Sequence, residues 1–567
     1  MAVVRIDTIL TDLTAVTVDP SRPVAHRIGI HHGRIIGLDG DLEGVRADRT
    51  VSLGGACVVP GFNDAHNHMA LFGLSLTEVD LASPPMRTLE DVYAAVAERA
   101  RTQPPGSWII GSGYDQNKLG GRHPHRDGLD RAAPGHLVWL RHTSAHMSVA
   151  NSLALQAAGV FSKAAVPDGG RVATDPDGRP NGLLEEQAQL LLRRLRYPYP
   201  RAQLVEAVAA AGRHYLSEGI TTCTEAGIGQ GWIGHSPVEA AAYQDALDGG
   251  RLPVRVRLMV TADTVHPLQD SPGAAPGHGL DLGMRTGFGD ARLRLGAVKV
   301  FSDGSLIGRT AALCCDFADE VGNRGYLQAD PEVLREQIVT AHAAGWQVAT
   351  HAIGDRAVDL VLNAYAEAQA RHPRTGTRHR IEHCAVTRPD QLARLVSLGV
   401  VPVPQAAFVG QIGDGMRTAL GEERVPWCYR HRSFLDAGLT VPGSSDRPVV
   451  RGTPLLGIHD MVNRRTQSGE PFAPEEGVSP LEALRSYTAG SAYAGFDEAE
   501  LGSITPGKLA DLAVLSDDPT AVPPDRIGAI TVLGTVVGGV LAYGADALGA
   551  PDDLSPGGGA VRSTTPP

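Results

Sequence analysis

CVVPGFNDAHNHM, residues 57–69, is the stretch on which the fold turns. Its apolar run CVVPGFNDAH reads as a strand. His66 and His68 at the end of that run are spaced i, i+2, so both leave one face and can grip a single ion while Asn67 points away. Moving outward, seven further apolar runs follow the same plan: GITTCTEAG (219–227), VRVRLMVTA (254–262), LGAVKVFSDG (295–304), QVATHAIGD (347–355), HRIEHCA (379–385), VVPVPQ (400–405) and TVPGSSD (440–446). Helical segments lie between them, the layout of a parallel sheet wrapped by helices. Eight strand-helix repeats predict an α/β fold, a closed (β/α)₈ TIM-like barrel.

The crossover helices are legible as well. In DRAVDLVLNAYAEAQA (355–370), Ala357, Val358, Val361, Ala364 and Tyr365 share one face. In TRPDQLARLVSLG (387–399), Thr387 is the expected N-cap, Pro389 falls in the first turn and Gly399 is the stop. The gap between the first two runs, about residues 70–215, is too long for a βα connection and predicts an inserted lid subdomain over the carboxyl-terminal mouth. Residues 1–58 and 500–548 have a strand-and-turn texture, and neither half can bury enough apolar surface alone. Together they are expected to form a small β-sandwich domain flanking the barrel of residues 59–499. The tail, 549–567, is rich in Pro, Gly, Ser and Thr and has a disordered composition.

Carboxyl-terminal strand ends of a barrel face one mouth. Here they carry His66, His68, Lys299, His351, His383 and Asp446. A single strand-end histidine is more often an ordinary hydrogen-bonded residue than a ligand. Four at one mouth, with a carboxylate, form the donor set that suits zinc and neighbouring transition ions and leaves a position open for water.

Lys299 is conspicuous because only four of the 51 basic residues are lysines. It sits in GAVKVF, where an unpaired ammonium is disfavoured and the amine tends to lose its proton. A neutral amine can add CO₂ to give a carbamate, a two-oxygen anion able to bridge two ions, which arginine cannot do. The competing reading is an ion pair with a neighbouring carboxylate. Asp446, after GSS, could bind the ion, accept the proton of an activated water and pass it to a leaving amine. A divalent ion lowers the pKa of water from ~16 to about 7 and polarises a scissile carbonyl, so no protein nucleophile is required.

A net charge of −12 and the absence of any basic run argue against nucleic-acid or anionic-membrane partners. The amino terminus lacks a signal-peptide layout and no apolar stretch approaches spanning length, so the expected location is cytoplasmic. The six cysteines lack paired spacing and are expected to be free buried thiols; adjacent Cys314 and Cys315 could be reactive.

The stretches VVPGFNDAHNHM, GYDQN followed by GGR, GAVKVFSDGSLIGRTAAL, THAIGDRAVD, RIEHC, PGSSDRPV and GSITPGKLADLAVLSDDP together resemble the amidohydrolase superfamily, in the branch of the N-substituted formamide deformylases. The resemblance runs from about residue 50 to 520 and implies the same barrel with a flanking β-sandwich. It implies that His66 and His68 hold one Zn²⁺-type ion with Asp446, and that His351 and His383 hold a second. A carboxylated Lys299 would then bridge them, with Asp446 as general base. Some relatives work with one ion.

The substrate so implied is a small amide, foremost an N-substituted formamide. A cyclic amide or imide hydrolase, or a deaminase, is the alternative, and a Schiff-base lyase using Lys299 is a third reading. Tyr114, Asp115, His142, His146, Arg309 and Gln405 lie in segments that could overhang the site, and each has a structural reading too: a turn former in Asp115, a buried hydrogen-bonded ring in His146, an ion-pair partner in Arg309. A homodimer is the expected assembly.

Overall fold

The computed structural model describes residues 5–160, 166–231, 233–269 and 277–544. The expected tail therefore lies outside the described residues. At the centre, seven parallel strands, Phe62–Asn67, Ile220–Ile228, Arg255–Thr261, Leu293–Phe301, Val348–Ala352, Arg380–His383 and Val401–Val403, pair in chain order as a TIM-like barrel. The register sets Phe301 beside His351 and Ala352 beside His383, which brings the polar strand ends level.

Two of the eight runs differ from their expected strands. The first barrel strand begins at Phe62, because residues 57–60 belong to the long strand Arg46–Pro60, which pairs with Leu512–Leu515 of the other terminus. Gly61 forms the corner between them. A Cβ there would lie 2.3 Å from Thr221 Oγ1, so only glycine lets the two strands turn so tightly.

The eighth run, 440–446, forms no regular strand. It still closes the ring: Ala65 N donates to Gly443 O at 3.0 Å, Asp446 N to His66 O at 2.7 Å and His68 N to Arg447 O at 2.8 Å. On its other side the link is made by side chains, Ser444 Oγ to Pro404 O at 3.0 Å and Gln405 Nε2 to Ser444 Oγ at 3.1 Å. Pro404 and Pro442 have no N–H to give, so a backbone ladder cannot form there.

Helix Asp355–Arg371 buries the five predicted core residues. Helix Pro389–Leu398 stops at Gly399 (φ 61°), as its sequence requires, yet its N-cap is Arg388 rather than Thr387. The Thr387 hydroxyl is spent on Cys384 O at 2.8 Å, in the turn leaving the sixth barrel strand, and Pro389 holds Arg388 in the extended region.

Between the first two barrel strands the chain builds a separate six-stranded sheet from Val79–Asp80, Trp108–Tyr114, Leu137–His142, Met147–Ala150, Gly170–Thr174 and Pro180–Glu186, with its own apolar core around Leu129, Leu140 and Val149. Strands from both termini form one eight-stranded sheet. No helix among the described residues is long and apolar enough to cross a membrane. All six cysteines are free; Cys314 and Cys315 are exposed rather than buried, their Sγ atoms 3.2 Å apart.

Candidate metal centre

The ends of the barrel strands bring six side chains to one mouth. His66 Nε2 and His68 Nε2 lie 3.2 and 3.0 Å from Asp446 Oδ1, and donor atoms of these three buried residues all fall within 4.8 Å of one another. The His383 ring centroid is 5.2 Å from that of His66 and 4.5 Å from that of His351. Lys299 is buried within electrostatic range of His68, His351 and His383, its Nζ 4.8 Å from the Phe301 ring. His383 (φ 69°) and Asp446 (φ 57°) both adopt left-handed backbone, a strain of order 1–3 kcal/mol each that tends to concentrate at functional positions.

Buried carboxylates orient the imidazoles. His66 Nδ1 faces Glu382, which is clamped by Arg380 through Nε to Oε1 at 2.7 Å and Nη2 to Oε2 at 2.9 Å. That contact leaves Nε2 of His66 for the mouth. His351 Nε2 donates to Gly304 O at 3.0 Å beside Asp303, whose carboxylate collects the N–H groups of Ala312, Ile353 and Gly354 at 2.9, 3.0 and 2.8 Å. Asp64 accepts from His66 N and Ser445 N at 3.2 and 3.0 Å. Glu225 accepts from Ala70 N at 2.9 Å and from the Tyr243 hydroxyl, with Oε1 3.8 Å from His68 Nδ1.

Sequence reasoning did not single out Glu382, Asp303, Asp64 or Glu225. The signal was present, since each is a carboxylate within or at the end of an apolar strand, the same anomaly that marked Lys299.

Burial is the largest influence on these groups. It pulls His68 down to about 4 and Lys299 down to about 8, so the imidazole is neutral and part of the lysine population carries a free amine near neutral pH. Glu225 is pushed up to about 8. For Asp446 burial acts upward, but the adjoining imidazoles of His66 and His68 outweigh it and hold the carboxyl well below its ordinary range.

His66 Nε2, His68 Nδ1, Lys299 Nζ and His383 Nδ1 are buried without a hydrogen-bond partner among the described residues. Buried polar atoms are rarely left so. Neutral imidazoles with an ionised carboxylate are the donors a zinc-type ion takes, so these residues fit a divalent cation.

The remaining expected residues fall in different places. His146, its Nδ1 2.8 Å from Glu186 Oε2 and its ring 5.2 Å from that of His351, lines about 360 Å³ of empty space with Ser144, His383, Phe408, Tyr429 and Asp446. The Tyr114 hydroxyl meets His123 Nδ1 at 3.1 Å inside the core of the inserted sheet. Asp115 caps the turn that follows, accepting from Asn117 N at 2.9 Å, and lines a wider outer cleft with His142. Arg309 forks onto Asp319, with Nη2 to Oδ2 at 2.6 Å. Gln405 donates to Val403 O at 2.9 Å and to Ser444, leaving Oε1 unpaired among the described residues.

Comparison with known proteins agrees with this architecture. The protein LONG AFTER FAR-RED 3 of Arabidopsis thaliana is 32% identical over 551 residues, 95% of this chain and 91% of that one. An N-substituted formamide deformylase of Arthrobacter pascens is 30% identical over 550 residues, 95% of this chain and 98% of its own. A solved structure described as an uncharacterized metal-dependent hydrolase, from Pyrococcus horikoshii, superposes with a TM-score of 0.71 at 26% identity, covering 91% of this chain and 99% of that one. The profile of the amidohydrolase family matches residues 49–543, a span that holds all six converging side chains, and this chain belongs to that family.

Proposed function

We propose that this chain is a metal-dependent hydrolase that cleaves the C–N bond of a small amide, with N-substituted formamides as the first class to test. The observation that carries the reading is the meeting of His66, His68 and Asp446, donor atoms within 4.8 Å of one another, beside unpartnered nitrogens of Lys299 and His383. The name of the Arthrobacter relative supports the choice of bond. His66, His68 and Asp446 would hold one ion, and His351 and His383 a second. Lys299, as its carbamate, would bridge them. When bound, zinc or a similar ion lowers the pKa of water and polarises a carbonyl.

The chain's own groups do the rest. Asp446, ionised and aimed into the empty space, takes the proton of the attacking water and returns it to the departing nitrogen, so that an acid and an amine leave. His146, anchored by Glu186 and lining the same space, orients the substrate carbonyl. The inserted sheet contributes Ser144 and His146 and serves as a lid that excludes water. Glu382 fixes which nitrogen of His66 faces the mouth, as partners of metal-binding histidines commonly do.

Metal analysis of the purified protein, followed by a panel of formamides, acyl amides and cyclic imides, tests the assignment. Chelation should remove turnover and Zn²⁺ restore it. His66→Ala or His351→Ala should lose metal and turnover together. Full activity in metal-free protein, or inactivity of metal-loaded protein on every amide, would sink the proposal. Turnover confined to the imides would favour the cyclic-amide alternative.

A further inference from the structure

At the opposite end of the barrel, the amino-terminal ends of the strands open on a second cavity with about 1060 Å³ of empty space, lined by Arg257, Arg285, Arg294, Arg374 and Arg380. These arginines are scattered in sequence, so no basic run announces them, and they gather within a chain of net charge −12.

Three of the five are neutralised. Arg257 and Arg294 share Asp497, and Asp290 lies in electrostatic range of Arg257. Arg380 is taken up by Glu382. Arg374 meets only carbonyls, those of His342, Trp346 and Gly345 at 2.6, 2.9 and 2.8 Å. The guanidinium of Arg285, an exposed residue at the rim of the cavity, has no hydrogen bond or ion pair among the described residues. Its guanidinium lies over the glycine that Arg374 binds: a Cβ on Gly345 (φ +90°) would come 2.5 Å from Arg285 Nη1.

Two guanidiniums held together without a counter-ion repel one another, and an anion between them relieves the repulsion. Burial and then the charge of Arg285 both act to lower the pKa of Arg374, the electrostatic trace of that crowding. Planar forks of N–H donors match the oxygens of phosphate or carboxylate, and the empty space is ample for a small ligand.

We propose that this cavity binds a small, multiply charged oxyanion of the phosphate class, with Arg285 and Arg374 as its principal contacts. Met259 and Ala297 line it and pack with Ala226 and Ala349 as an apolar layer inside the barrel. Arg285 and Arg374 therefore lie apart from the histidine mouth, and the test of their ligand does not depend on the assignment of the reaction.

Isothermal titration of the full-length protein at low salt, with inorganic phosphate in one arm and glycerol 2-phosphate in the other, reads the site directly. The expected result is saturable binding of one anion per chain, and the tighter of the two ligands identifies free phosphate or a phosphate monoester as the natural class. Arg285→Glu should weaken it by at least about tenfold, the scale set by losing one charge-assisted hydrogen bond. Arg285→Lys, which keeps the charge, should retain binding, and His351→Ala, at the opposite mouth, should bind as the unaltered protein does. Absence of saturable binding in both arms, unchanged affinity in Arg285→Glu, or loss of binding in His351→Ala would overturn the proposal.

Discussion

Lys299 is the residue on which the proposed bridge rests. It is fully buried, its Nζ has no hydrogen-bond partner among the described residues, and burial holds its pKa near 8, so a free amine is accessible where arginine would stay charged. Lys299→Ala should abolish turnover and leave a gap that short carboxylic acids fill as stand-ins for the carbamate. Partial recovery with acetate or propionate, absent in His66→Ala, is the expected readout, and an unimpaired Lys299→Ala enzyme would remove the bridge from the mechanism. Asp446 is the second test at this scale. Asp446→Asn keeps the shape but cannot accept a proton, so kcat should fall by about 10²-fold or more, the size of a general-base contribution, while KM changes less. Steady-state kinetics on the best amide of the panel decide it.

At the scale of elements, strand ends were readable because side-chain alternation along a strand and the common mouth of a barrel are simple rules, and the part of residues 57–69 that lies beyond the turn at Gly61 obeys them. The eighth segment was harder: its prolines forbid the ladder, and the contacts that replace it come from Ser444 and Gln405, whose partners are 40 and 39 residues away. Partner choice of this kind depends on the assembled fold. For the same reason the engagement of Arg309 with Asp319 and of Tyr114 with His123 could not be read from spacing alone. Helix Met69–Ser75, which starts directly after His68, offers a prediction. Gly73 lies against helix Arg201–Ser217, where a Cβ would sit 1.9 Å from Ala207 O. Alanine is favoured over glycine in a helix by about 1 kcal/mol, but overpacking against rigid backbone costs about 1–3 kcal/mol and should win. Gly73→Ala should therefore lower Tm, whereas Gly40→Ala, with nothing within 4 Å of the added methyl, should not.

Over the whole molecule, buried ion pairs stitch together segments that are distant in sequence. Arg255 holds Asp511, next to the carboxyl-terminal strand Leu512–Leu515, through bonds of 2.7 and 2.9 Å, and Arg257 holds Asp497 at the same distances. Composition advertised an acidic, ordinary globular chain, and pattern recovered the barrel. Neither could reveal where the charges of opposite sign would meet, because that is a property of the assembled fold. Glu218 makes this measurable. It ends the connection into the second barrel strand and binds Arg447, beside Asp446, at 2.6 and 2.8 Å, while Thr453 Oγ1 donates to it at 2.7 Å. Burial acts to raise its pKa, yet hydrogen bonding from His214 and the Arg447 charge prevail and lower it from 4.5 to about 2. A carboxyl whose pKa is depressed on folding adds stability above its unfolded pKa and loses it as pH falls toward the folded one. The contribution, on the order of 3 kcal/mol at neutral pH, should therefore fade between about pH 4.5 and pH 2. Glu218→Gln should be less stable than the unaltered protein by a constant margin above pH 5.5, and the margin should narrow as the solution is made more acid. Urea unfolding at half-unit steps from pH 6 to pH 3.5 measures it, and a margin that stays flat across that range would show that the Glu218 charge does not help hold the barrel closed.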